Sequence, residues 1–249
     1  MMTHRVLLLV PGLLAALFCS STLAGHIDLF ETAHSVETSI AAPPAQGVGS
    51  VANPTLTALG IERDLFVNKV AGADDERLRA RVNPLGETKL RIDSDAEVKG
   101  SIFVTWDGVD ADPNPFTGVD YDGLGGIDLT DGYDGFDLIV SFSDIGGPVK
   151  LSIFDASDNS AASVATATFN VPAGIPTDTP TAVHLDFADF TGTTSALTDA
   201  GAILMEVLDE NAGWDLNITS LVRTVPEPST FGLLAVLPIV GLMFRKRAR

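Results

Sequence analysis

Residues 136–153 read FDLIVSFSDIGGPVKLSI, and this stretch decides the fold class. Apolar and polar side chains alternate at period two on either side of a glycine pair, as they do in half-buried antiparallel strands. The alternation predicts an inward face made of Phe136, Leu138, Val140 and Phe142 in the first strand and Val149, Leu151 and Ile153 in the second. We therefore predict two strands separated by a glycine-containing turn.

The same pattern recurs along the chain between turns rich in Gly, Pro, Asp and Asn. It predicts further strands over residues 64–70, 78–82, 97–106, 163–171, 183–187, 202–208 and 214–219. About nine strands are too many for one sheet with a wet face, and sustained helical periodicity is absent from the middle of the chain. We predict an all-β fold over residues 56–224, an antiparallel β-sandwich of jelly-roll-like type. Residues 25–55 are rich in small residues without a period, so we expect a flexible linker or arm there.

Charge and cysteine content narrow the possible partners and compartment. The chain has 249 residues and a formal charge of −18. Residues 25–224 hold 10 basic and 32 acidic residues, a net charge of −22, which disfavours nucleic acid as a partner. The only cysteine is Cys19, so these residues can form no disulfide.

Residues 1–24 have the pattern of a secretory signal peptide. A short basic start precedes an apolar run over residues 6–18 and a small-residue exit that ends at Ala24. We expect signal peptidase to cut between Ala24 and Gly25. A permanent membrane anchor is the alternative, although the apolar run is short for a bilayer.

The C-terminal residues 225–249 read VPEPSTFGLLAVLPIVGLMFRKRAR. Two prolines hold Glu227 in an extended, accessible stretch. An uncharged run over residues 230–244 follows, with a predicted length of roughly 22 Å as a helix, and we predict a transmembrane helix there. The basic end is expected to stay cytoplasmic, which places the acidic body across the inner membrane.

This tail resembles the PEP-CTERM sorting signal of exported proteins in Gram-negative bacteria that make exopolysaccharide. The resemblance rests on the sorting motif Val225, Pro226, Glu227 and Pro228, the short apolar span and the arginine-rich end. It implies recognition by an exosortase, cleavage near the motif, and transfer from an inner-membrane-anchored precursor to the cell surface or extracellular space. An ordinary tail anchor is the alternative.

The middle of the chain also resembles an ectodomain that recurs among PEP-CTERM proteins. The similar segments are LGIERDLFV at 59–67, VTWDG at 104–108, GLGGIDLT at 123–130, FNVPAG at 169–174 and DAGAI at 199–203. This resemblance implies a fold and a location, but no ligand.

The densest polar feature is an aspartate-rich segment between Trp106 and Asp137. Carboxylates on glycine turns suit the six to eight oxygen ligands of calcium, so calcium is the candidate cofactor. The candidate ligands are Asp107, Asp110, Asp112, Asp120, Asp122, Asp128, Asp131 and Asp134. Their spacing does not fit an EF-hand, and the alternative is that Asp and Gly only shape turns between strands.

The composition of residues 25–224 is compatible with two further functions. Aromatic rings on a sandwich face could stack on sugars, and the candidates are Trp106, Tyr121 and Tyr133. Two carboxylates could instead serve a polysaccharide hydrolase, because such an enzyme needs only a suitable distance between them. His184 and Asp186 share a strand face, a common surface pattern, and no G-x-S-x-G nucleophile motif accompanies them.

The sequence favours a non-catalytic module outside the cytoplasm. We expect a surface or matrix protein that is structural or carbohydrate-binding and is associated with exopolysaccharide or biofilm. The alternative is a secreted polysaccharide-active hydrolase with paired carboxylates.

Overall fold

The computed structural model describes residues 25–39, 41–52, 58–177, 179–209 and 212–226. Within these ranges the chain forms fourteen strands and three short 3-10 helices. The strands are β1 (His26–Asp28), β2 (His34–Glu37), β3 (Ala45–Ala52), β4 (Glu62–Ala71), β5 (Leu78–Val82), β6 (Leu90–Ser94), β7 (Lys99–Trp106), β8 (Gly135–Ser143), β9 (Gly147–Asp155), β10 (Val164–Val171), β11 (Thr181–Asp186), β12 (Thr191–Gly192), β13 (Ala200–Asp209) and β14 (Leu216–Thr224). The 3-10 helices are Pro84–Gly86, Phe187–Asp189 and Thr194–Leu197.

The strands form two seven-stranded sheets. Sheet A has the order β11-β8-β14-β6-β5-β2, and β1 pairs with the C-terminal half of β14. Sheet B has the order β12-β10-β9-β13-β7-β4-β3. All pairings between these strands are antiparallel. The predicted all-β fold with two antiparallel sheets is confirmed, and the jelly-roll-like connectivity stays a prediction.

The core lies between the two sheets and follows the predicted alternation. In sheet B, Leu65 and Val67 of β4 are fully buried, whereas Phe66 between them belongs to the opposite face. Trp106 and Trp214 are among the largest side chains in the core, with 0% and 1% exposure. Because each buried large apolar side chain contributes about 1.5–3 kcal/mol, this layer is the main source of stability.

A β-bulge in β8 reverses one predicted face. Asn217 of β14 pairs with Phe142 and Ile218 pairs with Val140, so Ser141 is an extra residue in β8. Beyond the bulge Ser143 is buried, while Phe142 is only half-buried. The predicted inward position of Phe142 is therefore wrong, and the Ser143 hydroxyl accepts a hydrogen bond from Trp214 Nε1 at 3.2 Å.

The structure corrects the expectation of a flexible linker over residues 25–55, because β1, β2 and β3 belong to the sheets. Ile27 and Phe30 are fully buried in the shared core. On β3, a side chain at Gly47 would place its Cβ 2.1 Å from the backbone oxygen of Glu37 in β2. Glycine is needed there because the edges of the two sheets approach so closely that no side chain fits between them.

The two ends of the described body lie side by side. The Gly25 carbonyl accepts a hydrogen bond from the Arg223 backbone N–H at 2.8 Å, and His26 pairs with Val222. No helix within the described ranges is long and apolar enough to span a bilayer. The predicted signal peptide and the predicted transmembrane helix over residues 230–244 lie outside these ranges.

Candidate functional site

The aspartate-rich segment forms one of the connections between the two sheets, and we call residues 107–134 the Asp-rich loop. It leaves sheet B after β7 and enters sheet A at β8. Backbone hydrogen bonds fix its second half to the start of β13 and the preceding turn. Leu124 N–H donates to Gly201 O at 2.9 Å, and Ile127 and Ala200 exchange two bonds of 2.9 Å. The segments GLGGIDLT and DAGAI are thus in direct contact.

The first half of the loop covers the outer face of sheet B. Phe116 contacts Phe66 and Phe103 edge to face, with ring centroids 5.6 Å and 5.2 Å away. Further along, Tyr121 packs on Phe154 with centroids 5.0 Å apart. The loop therefore buries a second, smaller apolar layer on the side of sheet B that faces away from the core.

Four of the eight loop aspartates, together with Asn114, shape turns, as one of the two sequence interpretations predicts. In each case a side-chain oxygen accepts the backbone N–H two residues later, which is an Asx turn. These residues and distances are Asp110 (2.9 Å), Asp112 (3.3 Å), Asn114 (3.0 Å), Asp120 (3.4 Å) and Asp128 (2.8 Å).

One group of carboxylates lies at the junction between β4 and the loop. Oxygen atoms of Glu62, Asp64 and Asp110 all lie within 4.8 Å of one another, and we call these three residues the acid cluster. Glu62 and Asp64 are 3% and 1% exposed, whereas Asp110 is exposed. Glu62 Oε1 also accepts the Ala111 N–H at 3.0 Å, which brings the loop onto the strand. This arrangement of hard oxygen donors is suited to a divalent cation.

Two buried carboxylates at this junction have oxygen atoms without a hydrogen bond from the described residues. Both oxygens of Asp64 and one oxygen of Asp107 are buried without a hydrogen bond. The Ser50 hydroxyl lies beside the Asp64 carboxylate without the geometry of a hydrogen bond. Asp107 uses its other oxygen to accept the Asp120 N–H at 3.0 Å.

The pKa values reflect this burial. The pKa of Asp64 is raised to about 6, mainly by desolvation; the Ser50 hydroxyl beside it opposes this rise, and the charges of Glu62, Asp110 and Asp112 add to it. Desolvation also raises the pKa of Asp107 to about 7, with smaller contributions from neighbouring carboxylates. Crowded, buried anions of this kind are stabilised either by protons or by a cation.

The predicted calcium ligands do not form one site. Asp107 and Asp110 lie at or beside the acid cluster, and Asp112 adds charge to it. Asp120 lies near Asp122, and burial raises its pKa. The other three are elsewhere: Asp131 is exposed, Asp128 accepts from Thr130, and Asp134 Oδ1 accepts the Thr224 hydroxyl at 2.9 Å.

Sequence reasoning missed Glu62 and Asp64. Both precede the apolar run of β4, and their spacing of two places them on the same face as Phe66. The sequence signal that could have identified these two ligand candidates is the pair of acidic residues, two positions apart, at the start of a strand. The pairing of the strand with the loop, which brings Asp110 to them, could not be read from the spacing.

The aromatic candidates for sugar stacking are largely occupied by protein contacts. Trp106 is fully buried, and its Nε1 donates to Asp28 Oδ2 at 3.0 Å, so its ring is not a surface platform. Tyr121 is half-buried against Phe154. One face of the Tyr133 ring is covered by the Arg223 guanidinium, 4.1 Å from the centroid.

His184 forms a polar group on the edge of sheet A. Its ring nitrogens contact Asp137 at 2.8 Å and Asp186 at 3.2 Å. The hydrogen bond with Asp137 raises the pKa of His184, with a smaller contribution from Asp186. The imidazole is thus held between two carboxylates of an exposed strand surface.

The predicted sorting motif begins directly after β14. Val225 and Pro226 are described, and Val225 is exposed, while Glu227, Pro228 and Ala24 lie outside the described residues. No protein-family model matches this chain, and no curated protein matches it.

Proposed function

We propose that the protein is an exported, non-catalytic β-sandwich that is sorted by its C-terminal tail to the cell surface or matrix and associates with exopolysaccharide. The observation that carries this proposal is the adjacency of the two ends of the body. Gly25 follows the predicted signal cleavage site, Val225 opens the sorting motif, and the strands next to them are hydrogen-bonded neighbours.

Adjacent ends suit a body that is held at one membrane. A precursor with an N-terminal signal and a C-terminal transmembrane helix has both connections on the same side of the bilayer. Because β1 and β14 leave the sandwich together, neither connection has to cross the surface of the body. The rest of the sandwich then extends away from the membrane, where its charge of −22 keeps it hydrated.

Burial of Glu62 and Asp64 favours a non-catalytic role over the hydrolase alternative. Two carboxylates that cleave a glycosidic bond must flank the sugar. Glu62 and Asp64 are covered by the Asp-rich loop, so a polymer cannot reach them. A cavity of about 270 Å³ beside His34, Arg81 and Asn83 has no carboxylate in its lining.

Processing of the tail is tested with the variant Glu227→Ala in the native host. We expect the wild-type protein to be cut and released from the inner membrane, while the variant accumulates as a membrane-bound precursor. Glu31→Ala removes an exposed acid from the body and is the matched control, which should be processed normally. Normal release of Glu227→Ala would contradict the sorting proposal.

The non-catalytic role is tested with the released protein and extracellular polysaccharide from the same host. We expect co-sedimentation with the polymer and no new reducing ends. Reducing ends that appear with the wild type and vanish in a carboxylate variant would favour the hydrolase instead.

A further inference from the structure

The acid cluster sits where three parts of the chain meet on the outer face of sheet B. Glu62 and Asp64 come from β4, and Ser50 lies opposite Asp64 in the neighbouring strand β3. Asp110 comes from the Asp-rich loop, and the N–H of the next residue, Ala111, donates to the Glu62 carboxylate. The oxygen atoms therefore belong to segments far apart in sequence, and a ligand bound by them would join these segments.

The second observation is the set of buried oxygens without partners. Asp64 is 1% exposed, and neither of its oxygens accepts a hydrogen bond from the described residues. The Ser50 hydroxyl oxygen beside it is buried and unpartnered as well. A buried carboxylate without a partner is strongly unfavourable, so a cation is the missing partner that this geometry favours.

The nearest cation in sequence does not fill this role. Arg63 lies between Glu62 and Asp64 but belongs to the opposite face of β4. Its Nη1 donates to Asp28 Oδ2 at 2.8 Å, and both side chains of that pair are fully buried. The charge of Arg63 is thus used on the core side of the sheet.

We propose that Glu62, Asp64 and Asp110 bind one Ca²⁺ ion, with the Ser50 hydroxyl and Asp107 as further oxygen donors, and that this ion fastens the Asp-rich loop to sheet B. All donors are oxygen, which suits a hard cation and not zinc or copper. Donors that come from two strands and a loop suit the variable coordination of Ca²⁺ better than the strict octahedron of Mg²⁺. The site does not depend on the proposed function or on export.

The ion would act on the first half of the loop. This half contains Phe116, whose ring lies on Phe66 and Phe103 although 61% of its surface is exposed. With the carboxylates neutralised by Ca²⁺, the loop is held closed on these rings. Without the ion, repulsion within the acid cluster opposes closure.

Thermal unfolding of the full-length chain in mild detergent tests the site. The protein is stripped with EDTA and then titrated with CaCl₂ or, in a parallel series, MgCl₂. At Ca²⁺ a hundredfold above Kd we expect the Tm of the wild type to rise by about 5 °C or more, and Mg²⁺ at the same concentration to give a smaller rise.

The variant Asp64→Asn separates ion binding from folding. Without Ca²⁺ its Tm should equal or exceed that of the wild type, because a buried unpartnered charge is removed. With Ca²⁺ the order should reverse, since the variant gains little from the ion. Asp131→Asn makes the same charge change at an exposed loop position and should keep the wild-type response.

Chymotrypsin cleavage after Phe116 gives a local readout of the loop. We expect Ca²⁺ to slow this cut about tenfold in the wild type and in Asp131→Asn, and not in Asp64→Asn. The proposal is overturned if the wild-type Tm and cleavage rate are indifferent to Ca²⁺, or if Asp64→Asn responds as the wild type does.

Discussion

A buried ion pair between Asp28 of sheet A and Arg63 of sheet B allows a quantitative test of how the N-terminal segment is held. Asp28 of β1 accepts three hydrogen bonds: from Phe30 N–H at 2.7 Å, from Arg63 Nη1 at 2.8 Å and from Trp106 Nε1 at 3.0 Å. Arg63 also donates to the Thr32 carbonyl at 2.7 Å and lies 5.8 Å from the Phe30 ring centroid. The network therefore links β1 of sheet A to β4 and β7 of sheet B.

The two single variants should lower the free energy of unfolding by different amounts. Arg63→Met leaves Asp28 with two of its donors, so we expect a loss of about 3 kcal/mol, the lower end for breaking a buried pair. Asp28→Leu leaves a buried guanidinium with one carbonyl partner and also removes the acceptor for Phe30 and Trp106. We expect that loss to be about 5 kcal/mol.

The double variant measures the coupling between the two charges. In the double variant neither charge remains buried alone, so we expect its free energy of unfolding to fall by about 5 kcal/mol in total. The single variants together lose about 8 kcal/mol, so the coupling energy is about 3 kcal/mol. Urea unfolding of the full-length chain, followed by circular dichroism and by fluorescence of the buried tryptophans, measures all four proteins. Arg91→Met is the control, since the side chain of Arg91 is half exposed and its partner Asp93 keeps a second ion pair with Arg81; this variant should cost less than about 1 kcal/mol.

Additive losses within about 0.5 kcal/mol would refute the reasoning. A loss below about 1 kcal/mol for Arg63→Met would refute it as well, because the N-terminal segment would then not depend on this pair.

Two further predictions concern the edge where β2 meets β3. Gly47→Ala should destabilise the protein by about 1–3 kcal/mol, because the new Cβ would meet the backbone of β2. Val48→Ala, on the exposed opposite face of β3, is the control and should change the free energy of unfolding by less than about 0.5 kcal/mol. Urea unfolding compares the two variants, and equal effects would contradict the close packing at this edge. Burial, aided by the charge of Arg63, lowers the pKa of His34 from its ordinary value of 6.5 to about 4. Between these two pH values the unfolded chain binds a proton at His34 that the folded protein does not bind. The contribution of His34 to stability is therefore complete above about pH 6.5 and falls by about 1–2 kcal/mol as the pH drops toward 4, after allowance for the remaining exposure of the side chain. His34→Gln should flatten the dependence of the free energy of unfolding on pH, relative to the wild type and to the exposed-site control His26→Gln. An unchanged slope in His34→Gln would contradict the burial of a neutral His34.

Most of the strands could be predicted because one face of each packs on the core. Residues 78–82 were predicted as a strand with the bounds of β5, and the other predicted strands overlap observed ones. β3 was missed because its inward positions include Gly47 and Gly49, where β2 leaves no room for apolar side chains. Glycine at these positions removes the alternation on which the prediction relies.

The candidate site could be predicted only in part. Asx turns follow from local sequence, and four of the loop aspartates form them as expected. The acid cluster depends on long-range pairing, in which Asp110 of the loop meets two residues of β4. Local spacing carries no information about that contact, so the sequence could not place Glu62 and Asp64 beside the Asp-rich loop.

Mass spectrometry of the native protein's two ends, combined with cell fractionation, tests export and sorting together. We expect a protein in the surface or extracellular fraction that begins at Gly25 and ends within or near residues 225–228. An intact chain of 249 residues recovered from the cytosol would contradict it.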